Sequence, residues 1–553
     1  MGSRGTRAAA LVGFLAMSVL TPARPTSAAN AAIVVTTTAD VVSSADGVLS
    51  LREAIDLANA NRGDDVIVLA RAATYRLTRC DTNPNNANSN RDGDLDHRDR
   101  TGGLTLRGRG ATIVGGTRCP TRILHHVGTG LLELRAVTIR GGRLDNYEQR
   151  GLLSGAAVLA EGDVTATKVT LTDNVAFRFN DGNGPWVEGG ALSSSGAVNL
   201  ISSEIGRNEG GEGGGVYGRS VTLSDTWVHD NLGGYAGGVG ARDAITVENG
   251  SVVEGNQSGG ASCFGWGGGG LKADDVTVTG GSVISDNYAP RGSGGGISAT
   301  TVHLSDAIVR GNRADPNTCG VAGGGGAGIE GETITVERST IADNVLNPWT
   351  YPPGSSSRAY GAAILGRAVT LVDSTVSGNQ ALDAGEVAGI RSETSLQVTN
   401  STITGNLVDS GEGAGVSSLG TTTLRHATIT DNQGPSAANL HAAGPVEIEH
   451  SVIGQGVGGS ACAVAGSVVS LGYNVAQEDG TACGVGPGPG DEVGLPDLGL
   501  AALTDNGGPT LTQRPSNDWL SIIPIDKCST ATDQRGEPRP QGDHCEAGAV
   551  EIP

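Results

Sequence analysis

The chain has 553 residues, of which 90 are Gly and only 3% are aromatic, and its net charge is −21. Such a negative charge disfavours nucleic acid and anionic membrane surfaces as partners, because both attract basic patches. So few rings cannot fill a thick globular core, whereas Val, Ile, Leu and Ala can fill a thin, layered one.

The first 30 residues are typical of an export signal. Arg4 and Arg7 precede an apolar stretch at 8–20, and small residues near Ser27, Ala29 and Ala31 offer cleavage sites. The apolar stretch is short for a membrane span, and no later stretch is long enough for one. The sequence therefore predicts a secreted, extracellular protein without a transmembrane segment.

Eight cysteines follow this signal: Cys80, Cys119, Cys263, Cys319, Cys462, Cys483, Cys528 and Cys545. An even number in an exported chain favours disulfides, and the lack of C-x-x-C spacing disfavours zinc and redox roles. Sequence order suggests the pairs 80–119, 263–319, 462–483 and 528–545, among the many that eight cysteines allow.

A helix is predicted at 49–61, where Ser50 and Glu53 fit a capping box. Its candidate apolar face consists of Ala54, Ile55, Leu57 and Ala58. Because an open coil of strands exposes its edges, we expect this helix to cover the N-terminal end of the fold.

Three aspartates alternate just downstream of this helix: Asp92, Asp94 and Asp96. Hard carboxylate oxygens suit calcium, so these residues form a candidate calcium site. Calcium is the one cofactor that the sequence suggests, and the Gly and distal Glu of an EF-hand loop are absent.

A short unit then recurs ten times: an apolar residue, two others, and Asn. The asparagines are Asn174, Asn208, Asn231, Asn256, Asn287, Asn312, Asn344, Asn379, Asn406 and Asn432. The residue before each Asn is Asp or Gly in nine cases and Arg in one. Each Asn is followed, after a variable stretch and small residues, by an apolar anchor: Leu192, Val216, Val239, Leu271, Ile297, Ile329, Ile364, Ile390, Val416 and Leu440.

The spacing of this repeat predicts the architecture. Each anchor lies 15 to 17 residues before the next Asn, whereas each Asn lies 8 to 20 residues before the next anchor. Stacked strands must keep a constant length, while loops at one corner leave the stack and vary freely. We therefore predict an all-β fold, a right-handed parallel β-helix (solenoid), with the asparagines hydrogen-bonded in a column.

Four segments are expected: a signal peptide at 1–30, an N-terminal cap with the first turns at 31–130, β-helix repeats at 131–455, and an irregular C-terminal module at 456–553. Within the last segment, Asp533 and Arg535 are expected to form a structural pair.

Several segments resemble a known group of proteins. "LSLREAIDLANAN" (49–61) resembles the CSLREAI motif of bacterial secreted proteins, with Leu49 in place of the cysteine, and "RDGDLDHRDRTGGLTLRG" (91–108) resembles the segment that follows it. "LGYNVAQEDGTAC" (471–483) and "CEAGAVE" (545–551) resemble the C-terminal module called choice-of-anchor Q. The central repeats resemble pectate-lyase-like β-helices. The resemblance implies a secreted β-helix, and the motif sets of pectate lyases and polygalacturonases are not visible.

The variable corner is the candidate ligand-binding face. Its ten segments hold 10 of the chain's 17 aromatic residues, although they form less than a quarter of the chain. Exposed rings on a rigid face bind the apolar faces of sugars, while the alternative is that they pack the loops together. The candidate ligand-binding residues are Trp186, Phe264, Trp266, Trp349 and Tyr351.

The same corner loops contain three candidate catalytic carboxylates: Asp181, Glu188 and Asp315. Glycoside hydrolysis needs two such groups about 5–9.5 Å apart, and a lyase needs a Lys or Arg base. Three hypotheses follow: a protein that binds a polymer, in particular a polysaccharide or a cell-surface polymer; a polysaccharide-degrading enzyme; or a passive surface or adhesion protein.

Overall fold

The computed structural model describes residues 31–43, 45–80, 90–116, 121–144, 154–176, 187–259, 267–290, 292–316, 324–347, 359–383, 386–477, 483–486 and 488–552. The chain winds into a right-handed parallel β-helix, as predicted, in which successive turns pair strand to strand in a 37-stranded and a 7-stranded sheet. None of the helices in these ranges has the length and apolar character that crossing a membrane requires.

A first column of long strands, some of them split in two, forms one side of the coil. Its members are Val158–Ala160 with Val164–Thr167, Leu192–Ser194 with Ala197–Ile201, Val216–Ser224, Val239–Glu248, Leu271–Thr279, Ile297–Ser305, Ile329–Glu337, Ile364–Val372, Ile390–Thr399, Val416–Ser418 with Thr421–Arg425, Leu440–Ala442 with Val446–Glu449, and Cys462–Val464 with Val468–Gly472. The ten predicted anchors are the first residues of ten of these strands, and all are buried.

A second and a third column of short strands complete each turn. The second column comprises Thr74–Arg76, Thr170–Thr172, Glu204–Gly206, Trp227–His229, Val252–Glu254, Val283–Ser285, Ile308–Arg310, Thr340–Ala342, Thr375–Ser377, Thr402–Thr404, Thr428–Thr430, Val452–Ile453, Val475–Ala476 and Glu492–Val493. The third comprises Leu232–Gly233, Gln257–Ser258, Tyr288–Ala289, Arg313–Ala314, Val345–Leu346, Gln380–Ala381 and Leu407–Val408. Parallel pairing thus continues beyond residue 455.

The predicted asparagine column lies between the second and third columns of strands. Asn287 is typical: its backbone N and its Nδ2 each donate to Asn312 Oδ1, both at 3.0 Å. The same bonds link all ten asparagines, and the column ends on Asn439. The prediction of a stacked column is therefore confirmed.

Backbone geometry explains the residue types around this column. The residue before each Asn has a left-handed backbone, with φ of 56° at Asp286 and 55° at Arg207, and Gly or Asp tolerates this conformation best. A glycine precedes most anchors because the Asn side chains pack against it: a Cβ on Gly296 would lie 3.0 Å from Asn312.

The predicted helix is present as Leu51–Ala60. Ser50 and Glu53 form the predicted capping box, each side chain accepting a hydrogen bond from the other's backbone N–H. The helix packs on three of the first strands, Ile33–Val34, Asp65–Val68 and Leu95–His97. The next strands of the coil are Leu104–Val114, Leu124–His126 and Leu132–Arg140.

One part of the helix prediction is wrong: Leu57 is 48% exposed, whereas Arg52 is buried. The guanidinium of Arg52 donates to the carbonyl oxygens of Gly93 and Asp94 and pairs with Asp40. Burial of this charged side chain is tolerated because its hydrogen bonds are made, so the buried face is rotated away from Leu57.

The chain after the last turn folds back onto the coil. This C-terminal segment, 498–552, contains two short 3-10 helices and one antiparallel strand pair: Asp518–Leu520, Ile525–Lys527, and Ile523–Pro524 with His544–Cys545. Arg535 and Asp533 form the predicted pair, with Nη2 and Oδ2 2.7 Å apart.

Two predicted disulfides are confirmed. Cys462 is bonded to Cys483 and Cys528 to Cys545. Cys80 is also disulfide-bonded. The other predicted cysteines, Cys119, Cys263 and Cys319, lie outside the described residues.

Two histidines stack in the core at the N-terminal end. The rings of His97 and His126 lie 4.9 Å apart and nearly parallel. His126 Nε2 lies 2.9 Å from the carbonyl oxygen of Gly130 and donates to it, so His97 Nδ1 donates to His126 Nδ1 at 2.8 Å. Both rings are neutral in this arrangement, and burial lowers the pKa of His97 to about 4.

We expect this pair to make the protein sensitive to acid. The pKa of His97 is lower in the folded chain than its ordinary 6.5, so the pair has no effect above pH 6.5 and destabilises the fold as the pH falls towards 4. By pH 5 the loss is about 2 kcal/mol, with nearby Asp99 acting in the opposite direction. The double variant His97→Phe/His126→Phe should therefore lose less thermal stability between pH 7 and pH 5 than the parent. His303→Phe, on an outward strand position, is the control, and an equal loss in the double variant would contradict the prediction.

Candidate functional site

The residues directly after the ten anchors form one outward row, which we call the corner row. Since neighbouring side chains of a strand point to opposite faces, a buried anchor directs the next side chain outward. Parallel register aligns these positions from turn to turn. The corner row consists of Ser193, Tyr217, Gly240, Lys272, Ser298, Glu330, Leu365, Arg391, Ser417 and His441.

A groove of about 400 Å³ follows the middle of this row across successive turns. Small residues form its floor: Ala273, Ala299, Gly331 and Gly366. Lys272, Ser298 and Glu330 line one side, and the other side carries the exposed charges Asp274, Glu332, Arg367 and Glu393. The groove therefore runs parallel to the axis of the coil and combines hydrogen-bonding groups of both signs.

Lys272 and Glu330 are the chemically distinctive groups of this groove. Burial lowers the pKa of Lys272, an effect that Glu330 partly offsets. Burial also raises the pKa of Glu330. The attraction of Lys272 and the hydrogen bond that Ser298 Oγ donates at 3.3 Å both lower this pKa and partly offset the effect of burial. A carboxyl whose pKa is raised and an amine whose pKa is lowered can exchange protons nearer neutral pH than either free group.

The far end of the corner row is a hydrogen-bonded chain. The Arg391 guanidinium lies over the Tyr360 ring, 4.7 Å from its centre, and donates to Ser417 Oγ at 2.6 Å. Ser417 Oγ lies 3.2 Å from His441 Nδ1, and His441 Nε2 lies 2.9 Å from a Glu412 oxygen. This Ser–His–Glu order resembles that of an activated nucleophile, but Ser417 is only 1% exposed and its oxygen already accepts from Arg391. The chain therefore orders the row rather than presenting a nucleophile.

The predicted carboxylates are not brought together by the fold. Glu188 accepts from Ser193 Oγ at 3.1 Å, whereas Asp315 accepts from Tyr288 Oη at 2.6 Å and from two Arg313 nitrogens at 2.8 Å. At least four strand spacings separate their turns, roughly 20 Å along the axis. Glu188 and Asp315 are therefore too far apart for a glycosidase pair, and Asp181 lies outside the described residues.

The predicted ligand-binding rings, Trp186, Phe264, Trp266, Trp349 and Tyr351, also lie outside the described residues. Of the other corner aromatics, Tyr235 is 38% exposed. The ring of Tyr288 is instead held under the Arg313 guanidinium, which lies 5.4 Å from the ring centre. The corner thus contains both exposed and packed rings.

The alternating aspartates divide into two groups. Asp92 pairs with Arg79 at 3.2 Å. Asp94 and Asp96 lie close to His125, with one ligand atom from each within 4.8 Å of the others. Arg122 also reaches Asp94 at 3.3 Å and supplies a positive charge of its own. The calcium site at these aspartates stays a prediction.

Sequence reasoning missed Lys272 and Glu330. A signal was present, because the chain has only three lysines, and Lys272 alone directly follows an anchor. Aligning the ten anchors and reading the next position would have shown the whole corner row. No family model, curated protein or solved structure matches the chain. Its function is therefore argued from its own residues.

Proposed function

We propose that this chain is a secreted protein that binds a polymer, in particular a polysaccharide, along the groove of the corner row. The groove carries this proposal because it follows the coil axis through several turns and offers side chains at each strand spacing, about 4.8 Å. A linear chain of sugars presents hydroxyl groups at regular intervals, and Lys272, Ser298 and Glu330 supply donors and acceptors for them. Tyr235, which is 38% exposed at the same corner, adds a stacking surface.

The extracellular location is part of this proposal. The expected export signal at 1–30 and the disulfides of the folded chain support it, since disulfides persist in oxidising compartments. Amino-terminal sequencing of protein recovered from the medium would locate the cleavage site near Ser27, Ala29 or Ala31.

Binding should depend on the cations of the corner row. We expect Lys272→Met and Arg391→Met each to weaken binding to a soluble polysaccharide about tenfold, since each removes a charged hydrogen-bond donor from the groove or its continuation. Affinity electrophoresis against neutral polymers and polygalacturonate measures the change. Lys527→Met is the matched control, because Lys527 is exposed in the C-terminal segment.

Unchanged affinity in both corner-row variants would contradict the proposed groove. If no polysaccharide binds and a cell-surface protein does, the third hypothesis, an adhesion protein, replaces it.

A polysaccharide-degrading enzyme is the second candidate, and Lys272 with Glu330 favours it. In a β-elimination, Lys272 would accept the proton from carbon as a C=C bond forms and the C–O bond breaks, while Glu330 would protonate the leaving oxygen. Absorbance of the unsaturated product, followed in the same samples, distinguishes this reaction from binding alone. Release of reducing ends without that absorbance would indicate hydrolysis instead.

A further inference from the structure

The outward face of the second strand column is covered at one end of the coil and open at the other. One register row on this face contains Glu204, Trp227, Val252, Val283, Ile308, Thr340, Thr375, Thr402, Thr428 and Val452. The C-terminal segment covers its end: Thr375 Oγ1 donates to the carbonyl oxygen of Leu511, and Thr428 Oγ1 accepts from Ala549 N. At the open end, Trp227 is 43% exposed.

The exposed indole of Trp227 is held rigidly. One of its faces stacks on the imidazole of His229, with ring centres 3.7 Å apart. Its Nε1–H donates to a Glu254 oxygen at 2.8 Å, on the next turn. Since one face is covered and the ring is fixed, the exposure of Trp227 belongs to the remaining face and edge. A preordered ring loses little conformational entropy when a ligand covers it.

A further layer of hydrogen bonds holds His229 in place. Its Nδ1 lies 2.8 Å from an Asp230 oxygen, and its Nε2 lies 3.3 Å from a Glu204 oxygen. The imidazole is 4% exposed, so it supports the indole and is not itself a surface group. Three successive turns thus contribute Glu204, Trp227 and Glu254 to one supported platform.

A groove of about 370 Å³ adjoins the platform, within the range of small-ligand sites. Its lining combines Trp227 and Val252 with a polar fringe of Lys168, Ser202, Glu204 and Asp225. Ser202 Oγ donates to an Asp225 oxygen at 2.8 Å, and both residues line the groove.

We infer that Trp227 and this groove bind a neutral saccharide. An open aromatic face attracts the partly positive C–H groups on one side of a sugar ring. Carboxylates such as Glu204 and Asp225 accept hydrogen bonds from hydroxyl groups at the edge of the same ring. An apolar face with a fringe of hydroxyls is the shape of a pyranose, and the groove presents the complementary pattern.

The charges around the platform select against other ligands. Four carboxylates lie around Trp227, on Glu204, Asp225, Asp230 and Glu254. They outnumber two cations, Lys168 of the groove and Arg207, which interacts with Glu204 and Asp230. Phosphates and uronic acids would meet net negative charge there, as they would over a chain of net charge −21. This platform lies on a different strand column from the corner row. The inference shares with the proposed function only the expectation that the ligand is a saccharide.

Binding to neutral polymers tests the platform directly. Glucomannan, galactomannan and mixed-linkage β-glucan are titrated against the full chain by calorimetry, with polygalacturonate for comparison. We expect Trp227→Ala to weaken binding to at least one neutral polymer by about tenfold or more, whereas Trp227→Phe, which keeps a stacking face, stays within about threefold. Glu204→Gln should weaken it less than Trp227→Ala while preserving the fold. Trp519→Ala is the matched control, because Trp519 is 45% exposed in the C-terminal segment.

Each outcome decides the inference. Equal affinity of Trp227→Ala and Trp519→Ala for every neutral polymer overturns it, as does the absence of neutral-polymer binding or binding to a protein alone. If Lys272→Met weakens binding while Trp227→Ala does not, the groove of the corner row binds the polymer and the platform does not. If Trp227→Ala weakens binding while Lys272→Met does not, the platform binds the polymer and the groove of the corner row does not.

Circular dichroism of each variant excludes loss of fold as the cause of weaker binding, and Trp227→Phe keeps the test valid where the alanine variant unfolds.

Discussion

Replacing Asn312 by Ala is expected to destabilise the coil by about 3–5 kcal/mol. Its Nδ2 donates to the carbonyl oxygens of Ile284 and Arg310 and to Asn344 Oδ1, at 2.9–3.0 Å, and its own oxygen accepts two bonds from Asn287. Removal leaves the buried N–H of Asn287 without its acceptor, and an unpaired buried donor carries its full desolvation penalty. Thermal unfolding measures the total loss.

The damage should be local along the coil, because each turn of a solenoid contacts only its neighbours. Hydrogen exchange should therefore accelerate in the turns of Asn287 and Asn344 more than at the coil ends. Asn312→Asp keeps the size of the side chain but removes its donors, so it should be comparably destabilising. Asn199→Ala, at an outward position of Ala197–Ile201, is the control and should change stability by less than about 0.5 kcal/mol. A loss at Asn312 no greater than that of the control would show that the column does not stabilise the coil.

The asparagine column was predictable because it repeats one residue type at one place in every turn. A buried amide that bonds its neighbours above and below cannot be replaced by another residue without loss, so the sequence retains it ten times. The same constraint explains why Asp or Gly precedes it in nine of ten turns, since the left-handed backbone seen at Asp286 disfavours most other residues. The periodicity of the sequence thus identified the positions that carry the same residue type in each turn.

The candidate sites were not predictable in the same way, because they use a different residue in each turn. Lys272 and Glu330 meet in one groove only through the parallel register, and no shared residue type marks the corner row. Counting back from Asn231 and Asn256 would have placed Trp227 and Glu254 on strands of neighbouring turns. Such counting shows which residues are neighbours, but it does not show which side chains are exposed to solvent. The C-terminal segment has no repeat, so nothing in its sequence indicated that it would cover Thr375 and Thr428 and leave Trp227 open.

Removing the charge of Arg539 is expected to release the C-terminal segment from the coil. Arg539 Nη1 lies 2.8 Å from a Glu551 oxygen, and both side chains are completely buried. The guanidinium also donates to the carbonyl oxygens of Glu546 and Gly548 at 2.9 and 2.8 Å. Arg539→Met leaves the carboxylate of Glu551 buried without its cation, which typically costs about 3–5 kcal/mol. We expect hydrogen exchange to accelerate in 498–552 and at the covered strand Thr402–Thr404, while the asparagine column stays protected.

The double variant Arg539→Met/Glu551→Gln separates charge pairing from packing. Glutamine at position 551 keeps an acceptor for the backbone N–H of Gln541, which donates to a Glu551 oxygen at 3.1 Å, but buries no charge. If the unpaired carboxylate causes the release, the double variant should be more stable than Arg539→Met alone, and the two changes should not add. Arg514→Met, at an exposed position of the same segment, should leave exchange unchanged. Simple additivity would mean that packing of the Arg539 side chain, and not its charge, holds the segment on the coil. In either case a released segment would uncover Thr375, Thr402 and Thr428 of the second strand column.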